Sequence, residues 1–395
     1  MNRTRLQLML LVLTTSIIAP SGCSDGAGPE EVVGSKVQPS ASLVWNAFTD
    51  TAITRTRPLS PQAAQRAFAY VALAQYAAAT TAVERRSSGR PSERAAVASA
   101  SAAVLAELFP QQSAYVDSLL RAEARASFEE PGTNFANGES IGREIGAKAI
   151  ALARNDNFSA PWTGAVPTGS GMWFSTATPP AAPVLPMLGQ MRPLAMTSGN
   201  EFRPAAPPRF GSSEFQTDLA EVRQIADTRT AAQDSIAKFW AMTTGSFPPG
   251  FWNSIASRMI TEQRMSEHDA ARTFAVMNVA SMDALIASHE AKFTYWLLRP
   301  SQADVAIRMA IPLPNFPAYP SNHAALSRAA AEVLASVFPG ERDRLLKMAE
   351  DAAISRIYAG IHYRFDATAG LALGRRTAER ALEADRAGRL LSGIR

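Results

Sequence analysis

A serine, an asparagine and a histidine lie together at Ser321, Asn322 and His323, between a proline-rich stretch and an alanine-rich one. The closely spaced prolines exclude a helix before Ser321, whereas the run from Ala324 onward favours one. Ser321 is therefore predicted at a helix start, where the first backbone N–H groups lack intrahelical partners and attract anions. Serine is also a common helix cap, so this stretch alone leaves a purely structural role open.

Two cations, Lys292 and Arg299, lie upstream in the sequence KFTYWLLRP, which ends at Pro300. Their spacing predicts that both occupy one face of a helix that Pro300 terminates, since two helical turns separate them. Such a face could bind an anion. The alternative is a pair of long side chains whose charged ends reach solvent at a helix end.

A third polar stretch, SRIYAGIHYRFD, begins at Ser355 and ends at Asp366. Gly360 is predicted to end one helix in a left-handed turn. His362 and Asp366 are four residues apart and are predicted on the next helix, where the carboxylate could orient the imidazole. A single histidine would more often be a core residue, but the nearby carboxylate and Arg356 favour a chemical role.

Together the three stretches resemble the signature of the type 2 phosphatidic acid phosphatase and vanadium-dependent haloperoxidase superfamily. The family patterns K-x6-R-P, P-S-G-H and S-R-x3-G-x-H-x3-D occur here in order. Asn322 replaces the usual glycine, and its side chain is expected to narrow the implied pocket and so to affect substrate size and rate. KFW at 238–240 and PPGFWN at 248–253 are weakly similar to larger soluble bacterial members. The matching residues are Lys292, Arg299, Pro300, Pro320, Ser321, His323, Ser355, Arg356, Gly360, His362 and Asp366.

The resemblance implies an oxyanion pocket and assigns a role to each matching side chain. His362 would be the vanadium ligand of a haloperoxidase or the nucleophile of a phosphatase, and Asp366 would orient it. His323 would act as the acid and base. Phe316 matches an aromatic position of chloride-oxidising members and is a halide-pocket candidate, although it could simply be a packing residue. The implied ligands of vanadate or phosphate are Lys292, Arg299, Ser321, Asn322 and Arg356.

Three functions stay open. The first is an exported haloperoxidase-like enzyme with vanadate as cofactor, which oxidises halide with hydrogen peroxide. The second is a soluble acid phosphatase that hydrolyses phosphomonoesters through a phosphohistidine and needs no cofactor. The third, an inactive anion-binding module, is disfavoured because His323, Arg356, His362 and Asp366 are all present. Small molecules are the implied partners, and a net charge of only +4 does not indicate nucleic acid.

The N-terminal segment predicts export. Residues 1–22 combine early arginines with an apolar run too short for a convincing membrane span, and are interpreted as an export signal. The sole cysteine, Cys23, lies where a bacterial lipoprotein would be lipidated, although Pro20 is atypical there, and ordinary signal cleavage is the alternative. We therefore expect a periplasmic or cell-envelope location, with membrane contact only through such an anchor.

The rest of the chain predicts an all-α fold, which the resemblance specifies as helical bundles of the haloperoxidase and acid phosphatase type. Residues 23–40 are predicted to be a flexible tether. An N-terminal helical region at 41–212 and a C-terminal one at 213–395 follow, and apolar N-terminal helices could form either a core or a homo-oligomer interface. Residues 155–212 contain ten prolines and many aromatics, which predicts an ordered loop. Helical spacing predicts helices at 61–84, 93–109, 113–128 and 140–154.

Overall fold

The computed structural model describes residues 39–55, 59–127, 132–242 and 246–395. The predicted export signal, Cys23 and most of the predicted tether lie outside these residues. The described ranges contain thirteen α-helices and no β-strand, which confirms the predicted all-α class. None of these helices combines the length and apolar character needed to cross a membrane.

The helix bounds follow local sequence signals closely. Ser60, for example, accepts a hydrogen bond from the Ala63 N–H at 3.2 Å, so the second helix begins at Pro61, as predicted. The fifth helix begins earlier than predicted because Asn134 caps it. The helices α1–α5 are Ala41–Arg55, Pro61–Glu84, Glu93–Leu108, Ser113–Ser127 and Phe135–Arg154. The helices α6–α9 are Ser213–Thr228, Ala231–Phe239, Pro249–Glu262 and Glu267–Tyr295. The helices α10–α13 are Pro300–Ala303, Asn322–Val337, Arg342–Tyr358 and Arg364–Arg386.

The long helix α9 is the centre of the core. It is buried along most of its length, from Ala270 to Lys292, because small and apolar residues occur all around it and no polar face is set apart. Helices α2, α11 and α13 pack around it. The described helices form one compact unit, Pro39–Arg395, in which α2 and α9 of the two predicted regions are in contact. The predicted division at residues 212 and 213 stays a prediction.

Two helix pairs pack with their backbones in contact because glycines face the neighbouring helix. On α5, a Cβ atom placed on Gly142 would lie 2.4 Å from the Ala96 carbonyl oxygen of α3. On α13, a Cβ atom on Gly374 would lie 2.2 Å from the Ala325 carbonyl oxygen of α11. Any larger residue at these positions must separate the helices.

Residues 155–212 form the proline-rich loop, which we call the wrap segment. A buried carboxylate of the core accepts hydrogen bonds from this loop. Asp283 of α9 is fully buried and accepts three backbone hydrogen bonds from the loop, each at 2.8 Å. Burial raises the pKa of this carboxyl to about 6. The donors are the N–H groups of Leu194, Ala195 and Met196.

The wrap segment also contacts the chain that follows α9. The Trp173 N–H donates to the Trp296 carbonyl oxygen at 2.7 Å, and the Leu298 N–H donates to the Gly171 carbonyl oxygen at 3.1 Å. Farther along, the Val184 N–H donates to the carbonyl oxygen of Asn315 at 2.9 Å. The wrap segment is therefore ordered, and it supports the chain on both sides of α10.

Candidate active site

The start of α11 offers backbone donors, as the sequence predicts. Ser321 is the N-cap, and its Oγ accepts a long hydrogen bond from the Ala324 N–H at 3.5 Å. The Ser321 N–H itself donates to the Asp366 carbonyl oxygen at 3.0 Å. The N–H groups of Asn322 and His323 have no hydrogen-bond partner in the described chain. These two amides, at the positive end of a 16-residue helix, are available to an anion.

Lys292 is buried below this helix start, and its ammonium group is bound to backbone oxygens. The Nζ atom donates to the carbonyl oxygens of Pro317 at 3.0 Å, Ala318 at 2.6 Å and Pro320. Burial lowers the pKa of Lys292 well below its ordinary value, with the charge of Arg299 as the second cause. Lys292 thus stabilises the turn that leads into Ser321 through these three hydrogen bonds. Its role as an anion ligand stays a prediction.

Replacing Lys292 with methionine is expected to lower the free energy of unfolding by about 3 kcal/mol or more, because three buried carbonyl oxygens lose their donor. Urea unfolding followed by circular dichroism would measure the change. The matched control is Lys148→Met on α5, since the Lys148 side chain is 40% exposed and its one ion pair among the described residues is with Glu144. Loss of that surface pair should cost under about 1 kcal/mol. Equal losses in the two variants would contradict the bracing role of Lys292.

Arg299 does not lie on the helix of Lys292, so the prediction of a shared helical face is wrong. Helix α9 ends at Tyr295, and Trp296 adopts a left-handed conformation with φ 49° that redirects the chain. The two cations nevertheless meet at Phe316. The Lys292 Nζ lies 5.3 Å and the Arg299 Cζ 5.1 Å from the centroid of its half-buried ring. The structure places Phe316 beside the site cations, and its halide role stays a prediction.

The guanidinium of Arg299 is fully buried, and three of its contacts fix its orientation. Its Nε donates to the Phe316 carbonyl oxygen at 3.0 Å, and its Nη1 donates to the Ile361 carbonyl oxygen at 2.8 Å. The same Nη1 lies 3.0 Å from Nε2 of His362. The buried Nη2 atom has no partner in the described chain. Burial lowers the pKa of Arg299 to about 10, so the group stays charged at neutral pH.

His362 and Asp366 form a buried pair. The His362 Nδ1 lies 2.8 Å from Oδ2 of Asp366, which also accepts from the Tyr363 N–H at 3.1 Å. Since Arg299 can only donate to Nε2, the imidazole carries its hydrogen on Nδ1, and its lone pair at Nε2 accepts the Arg299 hydrogen bond. Burial, followed by the charge of Arg299, lowers the pKa of His362, and burial raises that of Asp366 to about 7.

The local backbone of this pair differs from the prediction in one respect. Gly360 ends α12 in a left-handed turn with φ 77°, as predicted. However, His362 lies before α13 and only Asp366 lies on it, in its first turn, so the prediction that one helix carries both is wrong. The His362 and Asp366 side chains nevertheless meet, because the Asp366 carboxylate also accepts the Tyr363 N–H and so holds the residues before α13 close to its first turn.

Helix α7 closes another side of the site, a contact that the sequence did not predict. Arg356 donates through Nη2 to the Ala237 carbonyl oxygen at 2.8 Å, and His323 donates through Nε2 to the Trp240 carbonyl oxygen at 2.9 Å. Burial lowers the pKa of Arg356 to about 9, and burial and Arg356 lower that of His323. His323 is therefore a neutral imidazole near neutral pH, with Nδ1 as its proton acceptor. The weakly similar KFW stretch, residues 238–240, lies at the end of this helix.

The side chain of Asn322, at the position where the superfamily signature has glycine, forms a hydrogen bond with α9. Its Oδ1 accepts a hydrogen bond from the Ser288 hydroxyl at 2.6 Å, and the residue is almost completely buried. The asparagine thus adds a link between α9 and the start of α11. The neighbouring His289 is also buried and donates from Nδ1 to Leu285, and burial lowers its pKa to about 3. Its ring lies 5.8 Å from that of Phe316, so it packs beside Phe316 as a neutral group.

The three cations of the site lack carboxylate partners in the described chain. Lys292 and Arg356 bond only to carbonyl and hydroxyl oxygens, and Arg299 to carbonyls and an imidazole. The one carboxylate among the predicted site residues, Asp366, is bound to His362. Asp366 offsets only part of this buried positive charge, and an anion with several oxygens would relieve the rest. The arrangement is chemically suited to a tetrahedral oxyanion.

Comparisons with known proteins identify a superfamily match and a shared fold. Residues 272–382 match the family model of the PAP2 superfamily, and this range contains every predicted site residue except Cys23. The fold is similar to that of a solved structure described as the first bacterial vanadium dependent iodoperoxidase, with a TM-score of 0.76 and 20% identity over 88% of this chain and 97% of that one. The predicted superfamily resemblance is confirmed.

Two further solved structures share the fold. An apo-type bacterial vanadium-dependent chloroperoxidase has a TM-score of 0.66 at 15% identity, covering 88% of this chain and 98% of its own. A holo-type bacterial vanadium-dependent chloroperoxidase has a TM-score of 0.64 at 17% identity, covering 87% of this chain and 96% of its own. No curated protein matches the chain. At these identities the likeness shows the fold alone.

Proposed function

We propose that this chain is a vanadium-dependent haloperoxidase-like enzyme that oxidises halide with hydrogen peroxide. The observation that carries the proposal is the buried, unpartnered Nη2 of Arg299, on the same guanidinium whose Nη1 lies 3.0 Å from Nε2 of His362. A donor and a lone pair are thereby held side by side in a positively charged pocket. The three solved structures that share the fold are each described as vanadium-dependent enzymes, which supports vanadate as the anion.

The donors present fit vanadate. The free amides of Asn322 and His323, the Nη2 of Arg299 and the excess positive charge all favour an oxyanion over a bare cation. Vanadate would be held by Arg299, Arg356 and the start of α11, with Nε2 of His362 as its protein ligand. When bound, it would supply the activation of peroxide toward halide. Lys292 would contribute charge, because its N–H groups are already donated to carbonyls.

The protein's own groups prepare the site for that chemistry. Asp366 holds the imidazole of His362 with its hydrogen on Nδ1, so the lone pair is at Nε2, where it accepts a hydrogen bond from Arg299 until an anion takes that place. His323 is neutral and oriented by the carbonyl of Trp240, so its Nδ1 can accept a proton from an incoming peroxide molecule and return it later. The buried guanidinium of Arg299 needs no reorganisation to stabilise added negative charge.

A phosphatase is the second candidate, favoured by the same orientation of His362. Its Nε2 lone pair could attack the phosphorus of a phosphomonoester, forming an N–P bond while the P–O bond to the alcohol breaks. His323, protonated when the phosphate group of the substrate binds, would give that proton to the departing alcohol oxygen, and water would then hydrolyse the phosphohistidine. The substrate in either case is a small molecule.

Parallel activity assays would decide between the candidates. Purified protein, with and without added vanadate, would be given peroxide, a dye and chloride, bromide or iodide, and separately a generic phosphomonoester. We expect vanadate-dependent dye halogenation with little phosphoester turnover. Phosphoester turnover that vanadate inhibits would establish the phosphatase instead. No turnover in either assay would contradict both and support an inactive anion-binding module.

We also propose that the protein acts outside the cytoplasm. The support is the sequence of residues 1–22 and the position of Cys23, both outside the described part of the chain. Cell fractionation would test export, and the mass of the mature N-terminal peptide would distinguish lipidation at Cys23 from ordinary cleavage. Full-length protein retained in the cytoplasm would contradict the proposal.

Phosphate binding is expected to take up a proton at His323. In the free site, burial and the charge of Arg356 keep the pKa of His323 low. A bound anion offsets that charge and raises the pKa, so phosphate should bind more tightly as the pH falls through the bound-state pKa. Calorimetry in buffers of different ionisation enthalpy measures the proton uptake. His323→Gln, which keeps a donor for Trp240, serves as the reference for the titration of phosphate itself. Equal proton uptake by the wild-type protein and His323→Gln would refute His323 as the group that takes up the proton.

A further inference from the structure

Gly370 lies on α13, one helical turn after Asp366, and faces the first residues of α11. A Cβ atom at this position would lie 2.6 Å from the Ser321 carbonyl oxygen and 2.8 Å from the Cβ of Ala324. The nearest atom belongs to the backbone and cannot rotate away. Any side chain at position 370 would therefore force α11 and α13 apart at the site itself.

A second observation shows that this contact joins the two halves of the site. The Ser321 N–H donates to the carbonyl oxygen of Asp366 at 3.0 Å, so the helix starts are linked by a backbone hydrogen bond. On one side of the link are the free amides of Asn322 and His323. On the other is Asp366, whose side chain holds His362 at 2.8 Å. The separation of the two helices therefore sets the distance from the amides to the imidazole.

We propose that Gly370 is a positioning residue, whose lack of a side chain sets the separation between the anion-binding amides of α11 and the His362–Asp366 pair. The inference rests on the proposed function only in that one oxyanion must contact both. Hydrogen bonds to such an anion weaken beyond about 3.2 Å, so a displacement of less than 1 Å removes one set of contacts. Gly374 continues the helix contact one turn farther from the site.

Gly142 provides a matched control. A Cβ atom there would lie 2.4 Å from the Ala96 carbonyl oxygen and 2.6 Å from the Cβ of Ser99, the same kinds of atom that Gly370 faces. It belongs to the α3 and α5 pair, and neither helix carries a predicted site residue. Gly142→Ala should therefore impose a similar packing strain without moving the site.

The experiment compares Gly370→Ala and Gly142→Ala in three measurements on the full chain. Unfolding by urea gives the loss of stability, calorimetry gives the dissociation constant of inorganic phosphate, and NMR follows the low-field proton on Nδ1 of His362. Both variants should lose comparable stability. Only Gly370→Ala should weaken phosphate binding, by about ten- to a hundredfold, and shift the His362 proton.

The outcomes separate this inference from the proposed function. If the wild-type protein binds no phosphate, the oxyanion site fails, and the His362 proton alone decides the role of Gly370. Unchanged phosphate affinity and an unchanged proton in Gly370→Ala would overturn the positioning role. If Gly370→Ala does not fold, Gly374→Ala replaces it. That variant must then bind phosphate more weakly than Gly142→Ala, and equal affinities would overturn the inference.

Discussion

Replacing His362 with alanine is expected to lower kcat by about 10⁴-fold in whichever chemistry the wild-type protein performs. The reason is that the variant loses the Nε2 lone pair beside Arg299, and with it the vanadium ligand or the nucleophile. Steady-state assays with halide and peroxide, or with a phosphoester, would measure the loss. Far-UV circular dichroism should confirm that the variant keeps its helices. Retention of more than about a tenth of the wild-type kcat would refute the assignment.

Asp366→Asn tests the orientation of the same imidazole. The neutral amide can donate to Nδ1, which would favour the other tautomer and place a hydrogen on Nε2, so kcat should fall by about 10²- to 10⁴-fold. Asp218→Asn is the matched control, since Asp218 accepts the Phe365 N–H at 2.7 Å in the same first turn of α13 but does not contact His362. Equal losses in the two variants would show that Asp366 acts only on the helix start.

Arg299→Lys is expected to weaken phosphate and vanadate binding by about 10²- to 10³-fold. The planar guanidinium donates to the carbonyls of Phe316 and Ile361 while its Nη2 remains free for the anion. A lysine ammonium at this position keeps the charge but cannot form the same fork of donors. Calorimetric titration of each variant with phosphate would measure the change, and a change below about threefold would contradict the role of Nη2.

Arg229 offers a control of the same chemistry outside the site. Its Nε donates to the Tyr358 carbonyl oxygen and its Nη2 to the Arg308 carbonyl oxygen, each at 2.7 Å. Arg229→Lys therefore removes a guanidinium that bridges two backbone carbonyls, without removing a donor to the anion. Phosphate affinity should be unchanged in this variant. A loss equal to that of Arg299→Lys would attribute both effects to stability.

The parts of the fold that depend on neighbours in sequence were predictable. The cap at Ser321 and the bounds of α2 follow from local rules for serine and proline, and both are confirmed. The end of α9 was missed because Trp296 enters the left-handed region without a glycine to signal it. The error did not change the site membership of Arg299, because the resemblance identified that residue independently of its helix.

Contacts between distant parts of the chain could not be predicted from local pattern. The carbonyls of α7 that receive Arg356 and His323 are backbone groups, which every residue carries and no motif marks. The same is true of the three backbone N–H groups of the wrap segment that donate to Asp283. Gly370 gave no signal either, because its importance depends on which helix faces it.

The segment that matches the family model is packed and hydrogen-bonded against the rest of the chain. It begins at residue 272, inside α9, and so excludes α2, which packs against that helix. It also excludes the wrap segment, whose N–H groups are bonded to the carbonyls of Trp296 and Asn315 on either side of α10. A chimera that transplants only the motifs would leave apolar helix faces and these carbonyls exposed. A chimera with a protein of the same fold should therefore exchange the chain from α1 onward.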